Sequence, residues 1–239
     1  MKINYKYYGK GKETVLFLHG WGANLNSFNF FCENLKNEYK ILQIDFVGHG
    51  DSEKLSYPFF VFDYAVEVFK ILKKENVDRL NIVCHSFGFR VAIMLIKFFD
   101  ITVEKLFVSG GAGVKPRFNI FTKLKIYSYK FKKFLNNKGL CCFDILNKGS
   151  SDYQKLNNIE KESFRNIVNY NQAKFLKFIK AKTILLWGNK DKETPLYMAK
   201  FIKKKIKNSK LVVLKNTGHF CFLENKFYSL KILEELLGN

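Results

Sequence analysis

At 239 residues the chain is long enough for one sizeable core, and its 47% apolar and 17% aromatic content excludes a disordered protein. The formal net charge of +20 invites a polyanion-binding reading, but the cations are almost all Lys, spread from Lys2 to Lys231, and only Arg79, Arg90, Arg117 and Arg165 carry the fork suited to phosphate; a solvated surface without a nucleic-acid partner is expected. Five cysteines, odd in number and without paired ligand spacing, argue against a disulfide framework or zinc site, and no apolar run reaches signal-peptide or membrane-span length, so a cytoplasmic setting without stable membrane insertion is expected.

In chain order, Ile3 to Tyr8 followed by Gly9-Lys10-Gly11 reads as a strand entering a hairpin. Val15 to Leu18 is the first buried strand and Phe28 to Leu35 the first helix. Ile41 to Ile44, Leu80 to Cys84, Leu106 to Val108, Thr183 to Trp187 and Leu211 to Leu214 continue the series of apolar strands. Helical spacing marks Phe62 to Leu72, Ser86 to Phe99, Leu196 to Ile206 and Phe222 to Leu237. Near-continuous apolar strands alternating with helices belong to a mostly parallel sheet covered on both faces, so the fold class is α/β, doubly wound. From Lys115 to Ile179 the alternation stops, while Ile120, Leu124, Tyr127, Phe131 and Phe134 fall on one helical face. The organisation predicted is a core over 1–114 and 180–239 with a helical insertion over 115–179.

Four segments carry candidate chemistry. In Leu80-Asn-Ile-Val-Cys-His-Ser-Phe-Gly-Phe-Arg, a strand runs through a tight turn at Ser86 into a helix, with the small residues Cys84 and Gly88 two positions to either side. A strained turn of this kind lifts a serine hydroxyl to a helix N-terminus, where the dipole favours negative charge; a helix-capping serine is the alternative reading. His19-Gly20-Trp21-Gly22 follows the Val15 strand, and the amide of Trp21, paired with that of Phe87, could hold an oxyanion. A base must come from His19, His49, His85 or His219. His19 and His49 lie in glycine turns and read as structural, and His85 adjoins Ser86 at a sharp turn where neighbouring side chains diverge. His219, just after the last strand at the carboxyl edge of the sheet, is the candidate. Asp191, just after the Thr183 strand, is the candidate orienting acid, with Glu193 as its nearest competitor, because the loop after Leu106 to Val108 is Ser109-Gly-Gly-Ala-Gly113 and holds no acid.

With these residues in place, the chain resembles the α/β-hydrolase family, nearest in character to small microbial carboxylesterases with a His-Gly-Trp-Gly turn. The order Ser86, Asp191, His219 is the one that family uses, and Gly48-His49-Gly50-Asp51-Ser52 matches a further family turn. Cys84, Phe89 and Val47 depart from its commoner residues. The resemblance implies that 115–179 is the family's helical cap, and that Ser86, His219 and Asp191 form a catalytic triad needing no metal or organic cofactor. The expected activity is hydrolysis of a small carboxylic ester bearing an apolar or aromatic group, consistent with aromatics such as Phe118, Phe121, Tyr127 and Phe131 in the insertion. Thioesterase, amidase or carbon–carbon bond hydrolase chemistry is the enzymatic alternative, and a ligand-binding receptor or inactive scaffold on the same fold is the other.

Overall fold

The computed structural model describes residues 1–115, 127–129, 131–132, 134–136, 138, 153–154 and 156–238. The strands are β1 (Tyr5–Tyr8), β2 (Thr14–Leu18), β3 (Lys40–Ile44), β4 (Arg79–His85), β5 (Thr102–Ser109), β6 (Lys182–Gly188) and β7 (Ser209–Leu214). The helices described from end to end are α1 (Asn29–Leu35), α2 (Val61–Lys74), α3 (Phe87–Phe98), α4 (Asn158–Asn169), α5 (Leu196–Lys205), α6 (Cys221–Glu224) and α7 (Lys226–Leu237).

One sheet orders the strands β1-β3-β2-β4-β5-β6-β7, with β1 antiparallel to β3 and every other pair parallel. The predicted hairpin is corrected here: β1 pairs with β3 and not with β2, Tyr5 facing Ile44 and Tyr8 facing Ile41. Its partner is set by β2, which is occupied on both edges by β3 and β4 and leaves no free ladder for β1.

Burial on both faces explains the apolar runs. All five residues of β2 are buried, and one core layer joins the sheet to α2, α3 and α5 while the other joins it to α1 and α7. Because β2 to β7 run parallel, their carboxyl ends share one edge of the sheet, where the following loops converge. No helix among the described residues is long and apolar enough to cross a membrane.

Within the 115–179 interval, α4 and a short turn at Leu176–Phe178 are helical among the described residues. The Phe59 amide donates to Ser163 Oγ at 2.9 Å, and the Trp21 and Phe164 rings meet at 5.5 Å, so α4 lies on the core beside the His19 turn. The interval returns to the core under a clamp: the Gln172 amide donates to the Gly113 carbonyl at 2.8 Å, and buried Arg90 of α3 donates to the Tyr170 carbonyl at 2.7 Å. The sequence expectations on Ile120, Leu124, Phe118 and Phe121 lie outside the described residues.

Candidate active site

Ser86 joins β4 to α3 with φ 49° and ψ −109°, a conformation that L residues rarely adopt and that costs of order 1–3 kcal/mol. It is held there by its own backbone, since its amide donates to the Ser109 carbonyl at 3.0 Å and its carbonyl accepts from Ala112 at 3.0 Å. The Ser86 side chain makes no capping bond to α3, so the helix-cap role is not the one it plays.

The glycines around the turn are needed for close approach. A Cβ on Gly88 would stand 2.2 Å from the Leu18 carbonyl oxygen and 2.9 Å from that of His19, so α3 can start against the end of β2 only without a side chain there. Gly88→Ala is therefore expected to cost at least about 2 kcal/mol, because rigid backbone meets the added methyl. A urea titration of both proteins checks this, and an unchanged midpoint would contradict it. A Cβ on Gly20 would come within 2.9 Å of the His85 ring and 3.6 Å of the Ser86 Cβ, which places the His19-Gly20-Trp21 turn beside the serine. The Trp21 and Phe87 rings, on the two segments whose amides are the oxyanion candidates, meet edge-to-face at 5.5 Å. As the first residue of α3, Phe87 has an amide with no partner inside the helix.

Across the site, His219 Nδ1 and Asp191 Oδ2 are 2.9 Å apart, with the Asp191 side chain fully buried and that of His219 12% exposed. Four donors converge on Asp191: the amides of Glu193 and Thr194 on Oδ1, and the Thr194 hydroxyl and His219 on Oδ2, all at 2.9 Å. Burial by itself would raise this carboxyl, but the bonds from His219 and Thr194 outweigh it and hold the group below its ordinary value. Glu193 contributes only its amide to this arrangement.

The sequence analysis did not single out Thr194. Its hydroxyl lies 2.9 Å from Asp191 Oδ2, 3.1 Å from the Gly110 carbonyl and 3.4 Å from His219 Nδ1, and its carbonyl accepts the buried Trp187 indole at 2.6 Å. A threonine three residues after an aspartate, just before Pro195, was the available signal for an Asp-centred turn. Thr194→Val keeps the shape and removes the hydroxyl. About a tenfold fall in kcat with KM unchanged is expected, measured as ester turnover, and a wild-type kcat would refute this positioning role.

Gly110, φ 54°, was read only as part of a loop without an acid; a Cβ there would lie 3.0 Å from His219 Nδ1. The glycine loop after β5 makes the space that the imidazole fills. At the end of β6, a Cβ on Gly188 would stand 2.1 Å from the Gly218 carbonyl oxygen, so the segment leading to His219 crosses the strand end in direct contact.

The other histidines are buried and bonded to backbone. His19 Nε2 accepts the Phe46 amide at 3.1 Å, which leaves the proton on Nδ1 to donate to the Gly20 carbonyl at 2.7 Å. His85 Nδ1 lies 2.9 Å from the Ser109 carbonyl, and the His85 ring packs 4.7 Å from that of His219. His49 Nδ1 is 3.1 Å from the Val47 carbonyl. Desolvation by burial pushes His19 and His85 down to about 3 and lowers His49 as well. The turn after β3 is organised by Asp45, which accepts the amides of Leu25 and Asp51 and the Asn4 side chain at 2.6 to 3.0 Å.

Beside this turn lies a cavity of about 220 Å³ lined by Trp21, Asn24, His49, Leu55, Leu156 and Glu160, among others. Among the described residues no group of three or more His, Cys, Asp or Glu side chains is arranged to hold a metal ion.

A strained serine at a strand-to-helix turn, with a buried Asp–His pair over the carboxyl edge of a parallel sheet, defines a hydrolase of the α/β type. Residues 13–137 and 144–226 match the family described as the alpha/beta hydrolase fold, and the chain belongs to that family. Among its relatives, the AB hydrolase superfamily protein YisY of Bacillus subtilis is 26% identical across 91% of this chain and 88% of its own. A pimeloyl-[acyl-carrier protein] methyl ester esterase of Wigglesworthia glossinidia brevipalpis is 23% identical across 95% of this chain and 94% of its own. In fold, an esterase from Exiguobacterium antarcticum superposes with a TM-score of 0.76 at 19% identity, covering 99% of this chain and 96% of the other.

Proposed function

We propose that the protein is a serine hydrolase that cleaves small carboxylic esters through an acyl-enzyme. The observation that carries this reading is the 2.9 Å pairing of His219 with fully buried Asp191 at the sheet edge that also bears the strained Ser86 turn. His219 Nε2 takes the Ser86 proton as Oγ attacks the ester carbonyl, and the amides of Trp21 and Phe87 receive the negative charge on the carbonyl oxygen. Asp191 holds the proton on Nδ1, so that Nε2 is the basic nitrogen, and stabilises the imidazolium that forms. The proton then passes to the leaving alkoxide, and water repeats the sequence on the acyl-enzyme to release the acid. Residues 115–179 act as the cap over this site in the same proposal.

The test is covalent. A fluorophosphonate probe is expected to modify the wild-type protein on the peptide containing Ser86 and to leave Ser86→Ala unlabelled. Labelling elsewhere, or none, would favour a ligand-binding receptor or inactive scaffold over an enzyme.

A second reading is an ester carried by an acidic protein such as an acyl-carrier protein. It is supported by the methyl ester esterase relative spanning nearly the whole chain, and by the net charge of +20, which would attract an acidic partner. Comparing kcat/KM for a carrier-bound methyl ester with that for the free methyl ester separates the two readings.

A further inference from the structure

The flank built by α2, α3 and the turn at Leu176–Phe178 exposes a group of aromatic rings to water. Phe62 is 41% exposed, Phe98 48% and Phe178 38%. They belong to a continuous run: Phe62 meets Phe98 at 5.7 Å and stacks on Phe99 at 5.6 Å, Phe98 meets Phe175 at 5.3 Å, and Phe175 meets Tyr170 at 6.5 Å. Lysines sit on these rings and on Phe69, which joins the run by meeting Phe99 at 4.6 Å. Lys97 Nζ is 3.9 Å from the centre of Phe178, Lys177 Nζ 5.3 Å from it, Lys174 Nζ 5.0 Å from Phe175 and Lys73 Nζ 5.4 Å from Phe69.

We propose that this flank docks on an anionic phospholipid bilayer. The headgroup boundary offers the two things the patch needs at one depth: an apolar layer for the ring edges and phosphates for ammonium groups carried on apolar stems. Of the neighbouring acids, Glu67 pairs with Lys70 at 2.6 Å, and Asp63 and the exposed Asp100 are outnumbered by Lys73, Lys97, Lys174 and Lys177. A second copy of the chain fits less well, because two surfaces of the same sign would face each other on molecules of charge +20. A nucleic acid would stack bases on open ring faces, whereas those of Phe69, Phe175 and Phe178 are taken by ammonium groups. A further set of exposed aromatics, Phe227 and Tyr228 on α7, carries among the described residues only Lys226 on its rings and shares its helix with Glu234 and Glu235. It lacks the cation density of the first patch.

The test is co-sedimentation of the full chain with vesicles of phosphatidylcholine alone and with about one-third phosphatidylglycerol, at about 0.15 M salt. Wild type and Ser86→Ala are expected to bind the anionic vesicles equally and the neutral ones not at all, so that binding stands or falls separately from the hydrolase assignment. Lys97→Glu with Lys177→Glu is expected to lower the partition coefficient at least about 30-fold. The charge-matched pair Lys226→Glu with Lys231→Glu, on the opposite face of the sheet, should lower it less than about threefold. Phe98→Trp should shift its emission to the blue on vesicle addition, a readout that does not depend on a disruptive substitution. Equal losses in the two lysine pairs would trace binding to overall charge and overturn the assignment. It would also be overturned by an absence of binding, by light scattering that gives a dimer mass abolished by Phe98→Ser, or by polyuridylate binding that depends on the Lys97 and Lys177 pair.

Discussion

Ser86→Ala and His219→Ala are each expected to lower kcat on a nitrophenyl ester by about 10⁴ to 10⁶-fold, and the double variant to be scarcely worse than either one. The non-additivity is the informative part. If the imidazole acts only by removing the serine proton, it has nothing to do once the hydroxyl is gone, so the two losses share one free energy. The residual rate would come from binding and from the Trp21 and Phe87 amides, which act on the oxyanion whichever nucleophile attacks. KM should change little, because neither side chain contributes much binding in the ground state. Thermal melts of Ser86→Ala should stay near wild type and separate lost chemistry from lost folding, whereas His219→Ala leaves the buried Asp191 without its imidazole partner and should melt lower. Single variants that retained more than a hundredth of the activity would break the triad reading. Two losses that multiplied would instead mean that the groups act independently.

Stability should fall steeply with acid well before the carboxylates titrate. His19 and His85 are held near 3 by burial, against about 6.5 in an unfolded chain. Below pH 6.5 the unfolded state therefore binds protons that the folded state refuses, and stability drops as pH falls, by up to about 1.4 kcal/mol per unit for each histidine. Between pH 6.5 and 4.5 the pair removes roughly 4–5 kcal/mol, a large share of the 5–15 kcal/mol typical of a domain. His49, shifted in the same direction, steepens the slope. Asp191 acts in the same sense at lower pH. Its folded value lies below the ordinary one, so its contribution is complete at neutral pH and is lost as pH falls through that lowered value. Urea midpoints measured from pH 7.5 to 4.5 should track this curve. Stability that stayed flat to pH 5 would falsify the buried, neutral assignment of these rings.

The physics differs between the two sets of histidines although they share one edge of the sheet. His19, His49 and His85 spend their ring nitrogens on backbone groups and are cut off from water. His219 alone pairs with a carboxylate and keeps part of its ring exposed, which is the arrangement a proton carrier needs.

Much of this was legible in the amino-acid order. Continuous apolar runs of strand length, separated by helical spacing, allow only a covered parallel sheet, because each strand face must leave water. The tight turn at Ser86 was readable because small residues flank a serine between a strand and a helix, although a helix cap would read the same, and the placing of Asp191 and His219 at the same edge because each follows a strand and parallel strands share an edge. Those features depend on neighbours in the chain, and local sterics act at short range.

What only the tertiary structure decided depends on residues far apart. The partner of β1 was fixed by which sheet edge remained free, the role of Thr194 by where its hydroxyl meets Asp191 and Gly110, and the need for Gly110 by an imidazole that arrives 109 positions later. A sequence records that a glycine is present. The ring that would collide with its missing side chain comes within reach only when β5, β6 and β7 are laid side by side, because hydrogen bonds and steric exclusion act across space and not along the chain.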